Sequence, residues 1–211
     1  MVAFELEIRK QIDTALRAYA RIKKVCATRY EGPLNTDLEA QLTMQVQDDL
    51  HAFFSSVGVI AKILDPHPKK ISKFYDQSLA RGEALRNALQ VGLKSKILDR
   101  SVRDGLEHID ERIDEYLETN PSVIYESWII ERVGHDERLN TRTVMRYFDS
   151  SSSSFRLVNA TGNLDEFAKE LEGLRNRLTT QGHILAISLE NVNTGQTENT
   201  VLLELPVRDK G

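Results

Sequence analysis

Two long runs of apolar residues at spacings of three and four limit what this chain can fold into. Phe4, Ile8, Ile12, Ala15, Tyr19, Ile22 and Cys26 form the first run. Leu38, Leu42, Val46, Leu50, Phe53, Val57, Ile60 and Leu64 form the second. This recurrence lines one stripe of an α-helix but scatters over both faces of a strand. It predicts amphipathic helices over 3–28 and from Thr36 or Asp37, either of which can cap, to 64. Glu31-Gly-Pro-Leu-Asn35 separates the two. Asp65-Pro-His-Pro68 ends the second, because proline removes an amide donor and disfavours helical geometry at the residue before it. At 1.5 Å per residue the second helix is about 40 Å long.

A third helical pattern runs from Ile71 to Leu93, with Phe74, Leu79, Leu85 and Leu89 inward and Gly82 as a weak point. A fourth runs from Leu98 to Glu118 on a stripe of Val102, Leu106, Ile109, Ile113, Tyr116 and Leu117, with Ser101 as an alternative N-cap. Asn120-Pro121 ends it. Four helices with short connections predict an antiparallel bundle.

Beyond residue 120 the pattern changes. Residues 123–130, 143–148 and 155–158 are short and rich in β-branched and aromatic side chains, which predicts two or three strands. Ser150–Ser154 reads as a flexible hairpin connection. Asn163 is placed to cap a helix carrying Leu164, Phe167, Leu171, Leu174 and Leu178. Its phase persists to Glu190, with a strand over 184–189 as the alternative. The expected fold class is α+β, mainly α. A helical bundle over 1–120 is followed by a small β-containing subdomain with a long helix over 121–211, packed on the bundle.

Length and composition are those of an ordinary globular protein: 211 residues, 40% hydrophobic, 28% charged and a net charge of −4. The net charge carries no overall nucleic-acid signature. Neither a secretory signal nor a membrane-spanning run is expected. The single cysteine, Cys26, excludes an internal disulfide and fits a reducing cytoplasm; on an apolar stripe it reads as a core residue. Charge is unevenly spread. Residues 62–100 hold nine Lys/Arg against four Asp/Glu, whereas 104–118 hold seven Asp/Glu against one Arg. Two solvated surfaces that attract each other would account for this. So would a basic rim for a polyanion, made of Lys69, Lys70, Lys73, Lys94, Lys96 and Arg100.

One stretch offers a cation and a general acid/base together: Arg103-Asp-Gly-Leu-Glu-His108, continued by Ile-Asp-Glu-Arg-Ile-Asp-Glu-Tyr116. At about 100° per residue from Val102, Arg103 falls near +100° and His108 near −120°, both off the apolar stripe. The pair is too widely spaced for close contact within one ideal helix, so joint action needs a kinked turn or a second copy of the chain. These residue types suit RNA cleavage. RNA supplies its own nucleophile, the 2′-hydroxyl. Histidine moves a proton near neutral pH, and arginine stabilises charge developing on phosphate. Asp104, one turn before His108, could orient the imidazole. The plainer alternative is a solvated face with Arg103 paired to Glu107 and His108 to Asp104.

On these residues the chain resembles the HEPN superfamily of small helical-bundle proteins, whose hallmark is Arg, four to six residues, then His. Arg103 and His108 match with four residues between, and Asp104 occupies the polar slot after the arginine. The resemblance covers about 3–120. It implies a homodimer with both motifs facing a shared cleft, and in many members metal-independent endoribonuclease activity in toxin–antitoxin or phage-defence systems, with an antitoxin or other cognate protein partner. Other members are non-catalytic interaction modules. Neither cofactor nor metal is expected. His51, His67, His135 and His183 have no partner in sequence that suggests a ligand set, and Tyr125 and Trp128 read as core or interface residues.

Overall fold

The computed structural model describes residues 2–28, 36–99, 101, 102, 111, 114, 115, 117, 118, 128, 129, 146–157 and 160–192. Helix α1 spans Val2–Ala27 and α2 spans Thr36–Leu64. On α1 the stripe buries Ile8, Ile12, Ala15 and Ile22 as its spacing predicts, and Ala18 with them; Phe4, Tyr19 and Cys26 are partly buried against the same core. On α2, Val46, Phe53, Val57, Ile60 and Leu64 are buried, joined by Phe54 and Ala61, while Leu38 is exposed. The two helices run antiparallel. The Tyr19 ring lies 6.5 Å from that of Phe53, and Arg21, further along α1, bonds to Asp49, earlier on α2. Each fully buried Ile or Phe contributes about 1.5–3 kcal/mol, so the helix pairing is chiefly hydrophobic.

Leu64 ends α2 where the two prolines require. Its carbonyl, left without a helical partner, accepts a hydrogen bond from Arg86 Nη1 at 2.5 Å. Arg86 also pairs with Asp65 at 3.1 Å, which sets a cation against the negative end of the helix dipole. Arg86 lies on α3, Tyr75–Ala88, shorter at both ends than the periodicity suggests. Leu85 and Leu89 face inward, but Phe74 and Leu79 are exposed. Gly82 is a close approach rather than a weak point. A Cβ there would lie 2.4 Å from Pro66 Cδ and 2.9 Å from the Leu64 carbonyl oxygen.

A single 3-10 turn, Lys96–Leu98, follows. The expected fourth helix therefore does not start at Leu98. Asp99 is extended, and Ser101 and Val102 are already helical. The side chain at the start is also not Ser101. Asp99 Oδ1 accepts from the Ser101 amide at 2.9 Å and from Ser101 Oγ at 2.7 Å. Leu117, counted on the apolar stripe, is exposed; Leu106, Ile109, Ile113 and Tyr116 lie outside the described residues.

The sheet has the order β1–β2–β3–β4: Trp128–Ile129, Arg146–Asp149, Ser154–Leu157 and Ala160–Asn163. β1 is parallel to β2, and the other pairs are antiparallel. Phe148 and Phe155 face each other across β2 and β3 on the buried side. On the other side Arg156 lies over Tyr147, as the two-residue alternation of strands requires. β4 was not expected from sequence. Its residues, Ala-Thr-Gly-Asn, carry little strand propensity, and it is held by pairing. The Phe155 ring fills the space opposite Gly162, where a Cβ would lie 2.9 Å from Phe155 Cζ.

The serine run is a hydrogen-bonded turn, not a loose connection. Ser151 and Ser152 hydroxyls donate to the two oxygens of Asp149 at 2.7 and 2.6 Å. Ser153 is buried at a left-handed φ of 55°, and its hydroxyl accepts from Lys23 Nζ at 2.9 Å. Asn163 caps helix α4, Leu164–Val192, as expected, accepting from the Asp165 amide at 2.9 Å. Leu164, Phe167, Leu171, Leu174 and Leu178 are all buried. Tyr19 and Lys23 bond to Asp165, and Arg9 to the Leu178 carbonyl, so this part of α4 runs antiparallel along α1.

One hydrophobic core therefore joins α1 and α2 to the sheet and to α4. The protein is α+β and mainly α. The chain divides into two units, Met1–Leu178 and Thr179–Gly211. The stretch 184–189, open between helix and strand on sequence, is helical.

Candidate functional site

The described residues ahead of the motif are anchored on two sides. Ile97 and Leu98 of the 3-10 turn and Val102 after it are buried in the core. Ser95 Oγ caps the turn by accepting from the Ile97 amide, and donates to Glu170 Oε2 of α4 at 2.5 Å. Glu170 Oε1 accepts from the Lys96 amide, and Lys96 Nζ pairs with Glu166 at 2.5 Å. Glu166 chiefly raises the Lys96 pKa, through that hydrogen bond and against the cost of desolvation. The segment leading into Val102 is thus fixed from the core side and from the α4 side. Arg103, Asp104 and His108 themselves lie outside the described residues, as does Arg100.

The lysines expected to form a basic rim divide into two groups. Lys69, Lys70 and Lys73 precede α3, and Lys94 and Lys96 follow it; the helix between has 14 residues and rises about 21 Å. Lys69, Lys70 and Lys94 are exposed. Lys73 Nζ lies 4.9 Å from the centroid of the exposed Phe74 ring. Lys96 is held by Glu166. Of the other histidines, His51 is exposed on α2, and His67 Nε2 lies 2.9 Å from Asp65 Oδ2; nothing is described of His135 or of the His183 side chain. Among the described residues no cluster of three His, Cys, Asp or Glu side chains is suited to a metal, and no helix is long and apolar enough to cross a membrane.

A second feature escaped the sequence reading. The Gln90–Ser95 loop and α4 border an open surface crevice of about 350 Å³, lined by Gln90, Ser95, Lys169, Glu170, Gly173 and Arg177 among others. Arg177 Nε is buried without a hydrogen-bond partner. Arg177 leans back over Gly173, its Nη1 lying 3.4 Å from where a Gly173 Cβ would sit. The loop begins with a Schellman turn. The Val91 amide donates to the Arg86 carbonyl at 2.9 Å and the Gln90 amide to Asn87 at 3.2 Å. This turn puts Gln90 at a left-handed φ of 52°, a place that favours glycine. The signal in the sequence was Gly173 in the middle of a helical run, with Lys169 four residues before it and Arg177 four after.

Set against models of known protein families, curated proteins and solved structures, the chain matches none of them. The likeness to HEPN proteins rests on the Arg103–His108 motif and on the helical pattern around it.

Proposed function

We propose that the protein is a metal-independent endoribonuclease of HEPN type, acting as a cytoplasmic homodimer in a toxin–antitoxin or phage-defence system with a cognate protein partner. The 2′-hydroxyl attacks the adjacent phosphorus, the P–O5′ bond breaks, and the products are a 2′,3′-cyclic phosphate and a 5′-hydroxyl. His108 moves the proton in this scheme, Arg103 carries the cation against the phosphate, and Asp104 orients the imidazole. Lys69, Lys70, Lys73, Lys94, Lys96 and Arg100 supply the cationic surface for the RNA backbone, Lys96 while also paired with Glu166. The observation that supports this reading is the anchoring ahead of the motif. Ile97, Leu98 and Val102 are buried, and Asp99 bonds to Ser101. Catalytic side chains need such a support, because small displacements cost large factors in rate.

The test is cleavage of a mixed single-stranded RNA in EDTA by the wild type and by the Arg103→Ala and His108→Ala variants. Cleavage by the wild type, lost in both folded variants, is the expected result. Retained cleavage by His108→Ala overturns the assignment.

A non-catalytic interaction module is the second reading. It is favoured by Ile71, Leu93 and Phe74, apolar side chains 92%, 75% and 53% exposed. A folded wild type that leaves RNA intact, and that loses self-association on Ile71→Asp or Leu93→Asp, would favour it.

A further inference from the structure

The loop that joins α2 to α3 puts apolar side chains where the fold does not cover them. Two β-turns follow one another there. The Ser72 amide donates to the Lys69 carbonyl at 2.8 Å, and the Tyr75 amide donates to the Ser72 carbonyl at 3.0 Å. Each turn carries a lysine and then an apolar residue at its central positions, Lys70-Ile71 in the first and Lys73-Phe74 in the second. Ile71 is 92% exposed and Phe74 53%. Lys69, Lys70 and Lys73 are exposed beside them, and Lys73 Nζ lies 4.9 Å from the Phe74 ring centroid. The sequence holds no acidic residue between Asp65, which is bonded to Arg86 and His67, and Asp76 in the first turn of α3. The foot of the loop is fixed. Pro66 is buried beside Gly82, and Arg86 holds the Leu64 carbonyl. The exposure of Ile71 therefore belongs to a hydrogen-bonded turn on an anchored base.

We propose that this loop docks on an anionic lipid surface, with Ile71 and Phe74 entering the headgroup layer and Lys69, Lys70 and Lys73 on the lipid phosphates. Such a surface is a charged layer over hydrocarbon, and binding to it grows with the apolar area buried and with the number of basic groups. Cations alternating with apolar side chains meet both layers at once. The long lysine stem keeps its ammonium among the headgroups while its apolar neighbour goes deeper. RNA accounts for the lysines and, by stacking, for Phe74, but an isoleucine has no ring face to offer a base. A folded protein partner needs about 800 Å² of matched surface around an apolar centre. Here Ser72 and Lys73 separate the two apolar side chains, and a lipid surface needs no matched shape. The inference holds whether or not the Arg103–His108 motif cleaves RNA. RNA and a bilayer compete for the same three lysines, and only the bilayer engages Ile71.

Co-flotation of the full chain with vesicles tests it, using phosphatidylcholine alone and an equal mixture of phosphatidylcholine and phosphatidylglycerol. The expected result is binding to the mixed vesicles and not to phosphatidylcholine. Each of Lys69→Gln, Lys70→Gln and Lys73→Gln should weaken it about fivefold. Ile71→Ser and Phe74→Ser should each weaken it about tenfold and leave binding of a short single-stranded RNA unchanged. Both side chains are exposed, so unchanged melting temperatures will show that these losses are not losses of fold. Failure of the mixed vesicles to bind overturns the proposal. Wild-type affinity in Ile71→Ser and Phe74→Ser also overturns it, since the face is then merely cationic, as RNA requires. So does loss of RNA binding or of self-association in Ile71→Ser while vesicles go unbound, because the occupant is then an RNA or a second copy of the chain.

Discussion

Arg21 donates from both Nε and Nη2 to a single oxygen of Asp49, at 2.8 and 2.6 Å, and leaves the other carboxylate oxygen buried with no partner. The Asp49 side chain is 8% exposed and that of Arg21 51%. The acid therefore carries the burial cost and the base remains in reach of water. Removing the base strands a buried charge. Arg21→Met is expected to lower stability by about 2 kcal/mol. Adding Asp49→Leu should recover more than half of that, because an apolar side chain needs no partner there. Urea denaturation of the two variants decides it. A double variant no more stable than Arg21→Met would show that the stranded carboxylate is not the cause.

Gly82 and Gly173 are both helical glycines, and alanine should act on them with opposite signs. At Gly82 the new Cβ meets Pro66 and the Leu64 carbonyl, so Gly82→Ala should cost about 1–3 kcal/mol. Pro66→Ala in the same chain should reduce that cost. At Gly173 the nearest atom is the tip of a flexible arginine, so Gly173→Ala should stabilise by up to about 1 kcal/mol. Denaturation midpoints of the two variants report the signs directly.

The Tyr19 hydroxyl donates to Asp165 Oδ1 at 3.0 Å. Burial first, and then this bond and the charge of Asp165, push its pKa up from 10.0 to about 12. A raised pKa means that the neutral phenol stabilises the fold. Its contribution is complete below pH 10 and is lost as pH rises towards 12. Absorbance titration should show one tyrosine ionising late, and Tyr19→Phe should remove that step and flatten the alkaline loss of stability. An unchanged alkaline slope in Tyr19→Phe would rule out this linkage.

Asp149 behaves in the opposite sense. Burial alone would raise its pKa, but the hydroxyls and amides of Ser152 and Ser151 together outweigh it and hold the group below its ordinary 3.8. A depressed pKa gives stability that is present above 3.8 and lost as pH falls through the lower folded value. Ser152→Ala should therefore weaken the protein at neutral pH and make its acid unfolding less steep. Melting temperatures across the acid range should converge for the two proteins at the lowest pH.

Much of this fold was legible because helix period and burial carry the same information. Ile8, Ile12 and Ile22 on α1, and Leu164 to Leu178 on α4, could be placed from spacing alone. Phe74 and Leu79 could not, since their exposure depends on how Pro66 and Gly82 bring α3 across the end of α2. The serine run was misread because its order comes from Asp149, Lys23 and Asn163, one of them more than a hundred residues away. β4 was missed because pairing with β3, rather than propensity, makes it a strand. For the site, the motif was readable as chemistry. The crevice was not, because its two walls meet only in the folded chain.

Phe54 lies on α2, yet its ring contacts Phe155 at 4.4 Å and Phe167 at 5.9 Å, both about a hundred residues downstream. During synthesis at about 5–20 residues per second, α1 and α2 would emerge many seconds before those partners exist. A nascent chain at that stage exposes Phe54 and the flank of α1 that later meets Asp165 and Leu178 of α4. The core of the first unit is therefore complete only once the chain has been made as far as Leu178, and until then its two oldest helices keep an apolar face in water.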